Sequence, residues 1–125
     1  MDKFSFEDLN AYKYSRDLVK SVYALLDKFP YSERNSLTDQ LRRSVISVPS
    51  NIAEGMGRMS TKEQVHFIEI SYGSLMEVLC QLQLACDLGY ISEEELLEEK
   101  SQIQINAKLI SGLRSSLIKT LNTKH

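Results

Sequence analysis

The sequence predicts an all-α protein, an up-down-up-down antiparallel four-helix bundle formed as a single domain over residues 1-125. Three observations predict it. Apolar residues recur at helical spacing in four long stretches. Each stretch opens on residues that suit a helix start. The gaps between stretches are only a few residues, which leaves consecutive helices to run antiparallel. With two prolines and five glycines in 125 residues, breakers are as sparse as in helical proteins.

Met1 to Phe6 is a short lead whose Phe4 and Phe6 are expected to dock on the body. The first helix is placed at about 7-28, with Glu7 and Asp8 suiting the positive end of its dipole. Leu18, Val22, Leu25 and Phe29 form its apolar face, widened by Val19 and Leu26. Phe29-Pro30 stops it, and Ser32 is the expected cap of a second helix at about 33-57.

That second helix carries Leu37, Leu41, Val45, Val48 and Ile52 at helical spacing across Pro49. Proline lacks the amide donor and crowds the carbonyl four residues back, so the reading is a proline kink in one helix. The alternative is a break, with Ser50 or Asn51 capping a new helix and Glu54 reaching back. Gly57 is the expected left-handed C-cap.

Ser60-Thr61-Lys62-Glu63 reads as a capping box opening a third helix at about 61-88. Its seam is Phe67, Ile68, Ser71, Leu75, Val78, Leu82 and Ala85. Gly73, inside it, costs about 1 kcal/mol against alanine, which predicts close helix packing there. Gly89 ends this helix. Ser92, Glu93, Glu94 and Glu95 form a second capping box, opening a fourth helix at about 93-121 through Leu96, Ile103, Ala107, Ile110, Leu113, Leu117 and Leu121, before a frayed tail, Asn122 to His125. At the rise of a helix the bundle is about 35 to 45 Å long.

Composition excludes several classes. Apolar residues make up 42% and charged ones 26%, with a formal net charge of -2, so no global field draws the chain to nucleic acid or an anionic membrane. The acidity lies in the second half: nine Lys or Arg stand against eight Asp or Glu through Ser60, and six against nine from Thr61. No run reaches the roughly 18 apolar residues of a membrane span, and the opening residues do not read as a secretory signal. Cys80 and Cys86 lie about 9 Å apart along one helix, too far to pair within the chain. They read as reduced, packed thiols of a cytoplasmic protein.

Chemistry finds little to stand on. His66 and His125 are far apart and no Glu-x-x-His pattern accompanies Glu69 and Glu77, so no metal and no cofactor are expected. Gly55-Met56-Gly57 is too short for a phosphate loop and follows no strand. No catalytic triad is indicated, and the expectation is that the chain is not an enzyme. What remains is a polar cluster around the proline: Arg42, Arg43, Asn51, Glu54 and Arg58, with Glu63 across the turn. As a structural network, the arginines would pair with Glu54 or a carboxylate of the third helix, and Asn51 would satisfy carbonyls freed by Pro49. As a contact surface, the arginines would anchor a phosphate backbone or a protein partner. Six tyrosines without a tryptophan, and Leu79, Leu84 and Cys86 off the main seam of the third helix, predict an intersubunit face.

The motifs Phe6-Glu7-Asp8-Leu9, Phe29-Pro30, Leu41-Arg42-Arg43-Ser44, Val48-Pro49-Ser50-Asn51-Ile52-Ala53-Glu54-Gly55, Gly57-Arg58 and Gly73-Ser74-Leu75 closely resemble those of the bacterial four-helix proteins encoded in intervening sequences of 23S ribosomal RNA genes, often labelled as ribosomal proteins. The resemblance covers nearly the whole chain. It implies an up-down bundle that assembles into a homopentamer, and a family patch at Arg42, Arg43, Asn51, Glu54, Gly55 and Arg58. The family is also similar to the accessory protein of diversity-generating retroelements, a pentameric barrel that binds nucleic acid through a strongly basic surface; the net charge here departs from that. Two functions are therefore carried forward. One is a non-enzymatic homo-oligomeric assembly or adaptor protein. The other is an RNA- or DNA-associated accessory protein linked to ribosomal RNA intervening sequences or a mobile element.

Overall fold

The computed structural model describes residues 3–123. Its helices are α1 (Asn10–Leu26), α2 (Leu37–Met56), α3 (Thr61–Asp87) and α4 (Glu93–Thr123), with single 3-10 turns at Ser5–Asp8 and Tyr31–Glu33. Among the described residues each helix packs against its neighbours in chain order, α4 closes back on α1, and the backbones of the diagonal pairs stay apart. That square is the arrangement which the short connections dictate. Its centre is apolar because each helix turns one stripe inward. Leu18 and Val22 of α1, Leu41, Val45, Val48 and Ile52 of α2, Ile68, Leu75, Val78 and Leu82 of α3, and Ile103 and Ile110 of α4 are all buried. Burial of such a side chain stabilises the fold by about 1.5–3 kcal/mol. The far end of the fourth seam is different, since Leu121 is exposed.

The first two helices start later than their sequence suggests. Glu7 and Asp8 belong to the 3-10 turn, where the Glu7 carboxylate accepts the Phe4 amide at 2.8 Å, and α1 opens after the extended residue Leu9. Phe6 packs edge-on against Tyr12 with ring centroids 4.9 Å apart, whereas Phe4 stays exposed. Ser32 does not cap α2. The chain makes another 3-10 turn there, and the Glu33 carboxylate takes the Leu37 amide (3.3 Å) and the Ser36 hydroxyl (2.7 Å), so the helix begins at Leu37. Tyr90 donates its hydroxyl to the same carboxylate at 2.7 Å. These bonds, that from Ser36 foremost, hold the Glu33 carboxyl below its ordinary range.

Helix ends follow the physics of unpaired amides and carbonyls. Ser60 accepts the Glu63 amide at 3.1 Å. The second box is reciprocal: the Glu95 amide donates to Ser92 Oγ at 3.1 Å, and the Ser92 amide to the Glu95 carboxylate at 2.9 Å. Gly89 has φ of 80°, with Tyr90 N–H reaching Ala85 O and Gly89 N–H reaching Cys86 O. This pair of bonds closes α3 with the left-handed residue that glycine adopts without strain. Gly57 differs from expectation. Its φ is -83°, right-handed, and its amide still bonds back to Ala53 and Glu54.

Pro49 lies buried inside α2, which runs unbroken past it. Neither Ser50 nor Asn51 therefore starts a new helix. Gly73 also departs from expectation: a Cβ built there meets nothing within 4 Å, because residue 73 is on the exposed outer side of α3. Close helix packing within the chain is at Gly55 instead. Both cysteines are free, and only Cys86 packs against the core, since Cys80 is exposed.

One seam carries a buried acid. Glu99 of α4 is 4% exposed and accepts the Ser21 hydroxyl of α1 at 2.6 Å, while Gln102 Nε2 donates to that hydroxyl at 3.1 Å. Its other oxygen, Oε1, is buried without a partner. Burial pushes the Glu99 carboxyl above its ordinary range and the Glu98 charge adds to this, against the opposing Ser21 bond.

The polar corner of α2 and α3

Around Pro49 the two helices are joined by side chains that feed backbone oxygens. Ser71 of α3 donates to Val48 O at 2.8 Å, and the hydroxyls of Ser47 and Ser74 lie 2.7 Å apart. Asn51 does serve a carbonyl, as its residue type suggests, and the one it serves is Ser47 O (2.9 Å), together with Ser47 Oγ (2.8 Å). The proline removes the amide that would have met Val45 O, so Asn51 supports the turn beside the gap.

The predicted arginine cluster divides into two groups. Arg42 and Arg43 both pair with Asp39, at 2.5 and 2.9 Å, in place of Glu54 or an α3 carboxylate. One turn of helix explains this, because residues three and four apart share a face. The Arg43 hydrogen bond is the main reason that the Asp39 carboxyl is held below its ordinary range. The Arg43 side chain is 79% exposed and that of Arg42 43%. Twelve residues from Arg42, about 18 Å along the helix, Glu54 pairs with Arg58 at 2.6 Å. Glu63 stays with its own cap at Ser60.

The second group forms a corner where the chain turns from α2 into α3. The Arg58 guanidinium lies over the Phe67 ring, 4.6 Å from its centroid, and Gln64 Nε2 donates to Arg58 O at 3.1 Å. Beneath them a Cβ on Gly55 would stand 2.9 Å from Phe67 Cβ and 3.3 Å from Gln64 O. Within the Asn51–Gly55 motif, Gly55 thus lets α2 and α3 approach closely and Ile52 lies in the core.

Sequence reasoning missed Asp39 and Ser47, and it placed Phe67 and Ser71 in the α3 seam and Ser74 in a motif without joining them to this corner. Asp39 was readable from its spacing to Arg42 and Arg43. The serines were not, since their partners lie on another helix. Of the carboxylates weighed as metal ligands, Glu69 pairs with Arg114 at 2.6 Å and Glu77 is exposed. His66 is exposed beside Phe67, and His125 lies outside the described residues, as do Met1, Asp2 and Lys124 of the expected lead and tail. Among the described residues no group of three or more His, Cys, Asp or Glu is placed to hold a metal ion, and no helix is long and apolar enough to cross a membrane.

Two further surfaces stand out. Between α1 and α2 runs a groove of about 400 Å³ lined by Tyr12, Arg16, Val19, Lys20, Ile46, Pro49, Ser50 and Ala53. On its outer side α3 exposes Ile70, Tyr72, Met76 and Leu84, and Leu88 at its C-cap is exposed as well.

A four-helix bundle with a polar, proline-bearing corner and exposed apolar helix faces is the class of protein that these features define. The chain belongs to the 23S rRNA-intervening sequence protein family, whose model matches residues 7–112. Among solved structures it is similar to a crystal structure of a protein with unknown function from the S23 ribosomal protein family of Bacteroides thetaiotaomicron, with a TM-score of 0.76 and 18% identity. That likeness covers 83% of this chain and 97% of the other, and shows the fold. A search of the curated proteins finds no match.

Proposed function

We propose that the chain is a non-enzymatic, RNA-associated accessory protein linked to 23S rRNA intervening sequences, and that it works in the cytoplasm as a homo-oligomer. The family match over residues 7–112 carries the link to RNA. The surface arginines support it. Arg42 and Arg43 stand on the outside of α2, and in the connection just before it Arg34 lies 3.9 Å from the centroid of the Tyr31 ring, itself 77% exposed. An exposed aromatic ring beside a guanidinium suits unstacked bases and phosphates. Asp39 offsets part of this charge and the chain as a whole is at -2. Contact by one subunit is therefore weak, and repetition in an assembly multiplies it.

Self-assembly is supported by the apolar outer side of α3, which a lone bundle leaves in water. The ring of five, like a mobile-element setting, belongs to this reading through the resemblance alone. Light scattering coupled to size exclusion is expected to give a constant mass several times 14.3 kDa, with or without reductant. A mass near one chain would defeat the oligomer.

For RNA, fluorescence anisotropy with an intervening-sequence hairpin is the test. Binding is expected to be low micromolar or weaker near physiological salt, and to strengthen as salt is lowered, with a log-log slope of about -2 for three neutralised phosphates of an unpaired loop. Replacing Arg34, Arg42 and Arg43 with alanine is expected to abolish it. No binding by the intact assembly at about 50 mM salt would overturn the RNA reading. It would also favour the second one, an assembly or adaptor scaffold for protein partners, for which the pairing of Arg42 and Arg43 with Asp39 and of Arg58 with Glu54 speaks.

A further inference from the structure

We infer that the α1–α2 groove of one subunit receives the Ile70–Glu77 stretch of α3 from a second copy of this chain, an inference that rests on the homo-oligomer reading. The groove is apolar along its floor, through Tyr12, Val19, Ile46, Pro49 and Ala53, and basic at its lip, through Arg16 and Lys20. The α3 stretch has the opposite character at its edge. Ile70, Gly73 and the exposed Glu77 follow one another at three- and four-residue spacing along one face, with Tyr72 and Met76 on its α4 flank. Ile70, Tyr72 and Met76 are exposed at 36–39%, and a Cβ at Gly73 would meet nothing within 4 Å. Arg16 and Lys20 form no ion pair with a described carboxylate of their own chain, nor does Glu77 with a described cation. A carboxylate brought to that lip gains two cations in a partly dry setting, where such a pair is stronger than in water.

The register agrees as well. The bonds from Ser71 to Val48 O and between Ser74 and Ser47 place residues 71–74 of α3 level with residues 47–48 of α2. Ile46, Pro49 and Ser50 of the groove stand at that same height. Rotation about an axis running along the bundle preserves height, so a neighbour related by such a rotation presents α3 residues 70–77 to the groove. Groove and stretch are unlike surfaces on different sides of the square, which makes the contact head-to-tail. A contact of this kind closes into a ring when its rotation closes.

The test uses two full-length chains, each lacking its native thiols through C80S and C86S. One carries S50C at the groove, the other G73C on α3. After mild oxidation, a disulfide-linked pair on a non-reducing denaturing gel is expected from the mixture and from neither chain alone. Charge provides a second readout: a chain carrying R16E and K20E is expected to lose at least tenfold in self-association and to regain it on mixing with an E77K chain. If light scattering shows an oligomer while the mixture gives no linked pair, this docking is overturned and the oligomer reading stands. If it shows a single chain, both fall. A linked pair between S50C chains alone would show a symmetric contact across the groove and overturn the head-to-tail pairing.

Discussion

Replacing Gly55 with alanine is expected to destabilise the folded subunit by about 1–3 kcal/mol, the usual cost of overpacking a filled site, although alanine is the better helix former. The reason is geometric. The new methyl would stand 2.9 Å from Phe67 Cβ, an atom one bond from the backbone, and no rotation of the ring moves it away. The Gln64 carbonyl at 3.3 Å closes the other side. Relief requires α2 and α3 to part at the level of the Arg58–Phe67 contact. Gly112 of α4 is the control: nothing lies within 4 Å of its added Cβ, so Gly112→Ala is expected to gain up to about 1 kcal/mol from helix propensity. Denaturant melts compare the two, and equal stability changes would show that the corner has slack.

Changing Glu99 to glutamine is expected to stabilise the protein at neutral pH by about 1 kcal/mol, within the range of a single stabilising substitution, because it removes the negative charge that burial disfavours. The native carboxyl has a folded pKa raised above its unfolded value. A group of that kind favours the folded state most below the unfolded pKa, and the contribution is lost as pH rises through the folded one. The wild type should therefore weaken as pH climbs out of the ordinary carboxylate range, and E99Q should remove that slope. Glutamine keeps an oxygen for the Ser21 hydroxyl, which Gln102 already orients as a donor by bonding to it. Urea melts between about pH 4 and 8, bracketing the ordinary glutamate value, decide the matter. Parallel pH profiles for the two proteins would show that Glu99 does not titrate in a buried site.

Much of this fold was legible because a helix writes itself in short-range spacing. The inward seams through Leu18, Leu41, Ile68 and Ile103 are read from residues three and four apart, and the boxes at Ser60 and Ser92 from residues three apart. What was misread depended on partners distant in sequence. Ser32 reads as the cap of α2, yet the helix opens after Ser36. The difference lies in the Glu33 carboxylate, which Tyr90 holds from 57 residues away. Gly55 and Gly73 look alike as helical glycines, and only the position of Phe67 separates the crowded one from the open one. At the candidate site the pairing of Arg42 and Arg43 with Asp39 was local and could have been read, while the serine bridge between α2 and α3 was written in neither helix alone.

The square of helices is not held evenly. α2 and α3 make its broadest contact, fastened by Gly55 against Phe67 and by the bonds of Ser47, Ser71 and Ser74. Between α1 and α4 the contact is narrower and holds the buried Glu99 carboxyl, one of whose oxygens has no partner. Free energies of local opening follow such differences, so stability divides into cooperative parts. The α2–α3 hairpin is expected to form the durable half, with its amides the last to exchange in hydrogen-exchange measurements and α1 the helix that lifts away first. On that expectation the α1–α2 groove has one steady wall and one yielding wall, so that its width would adjust through α1 while the wall bearing Pro49 keeps its place.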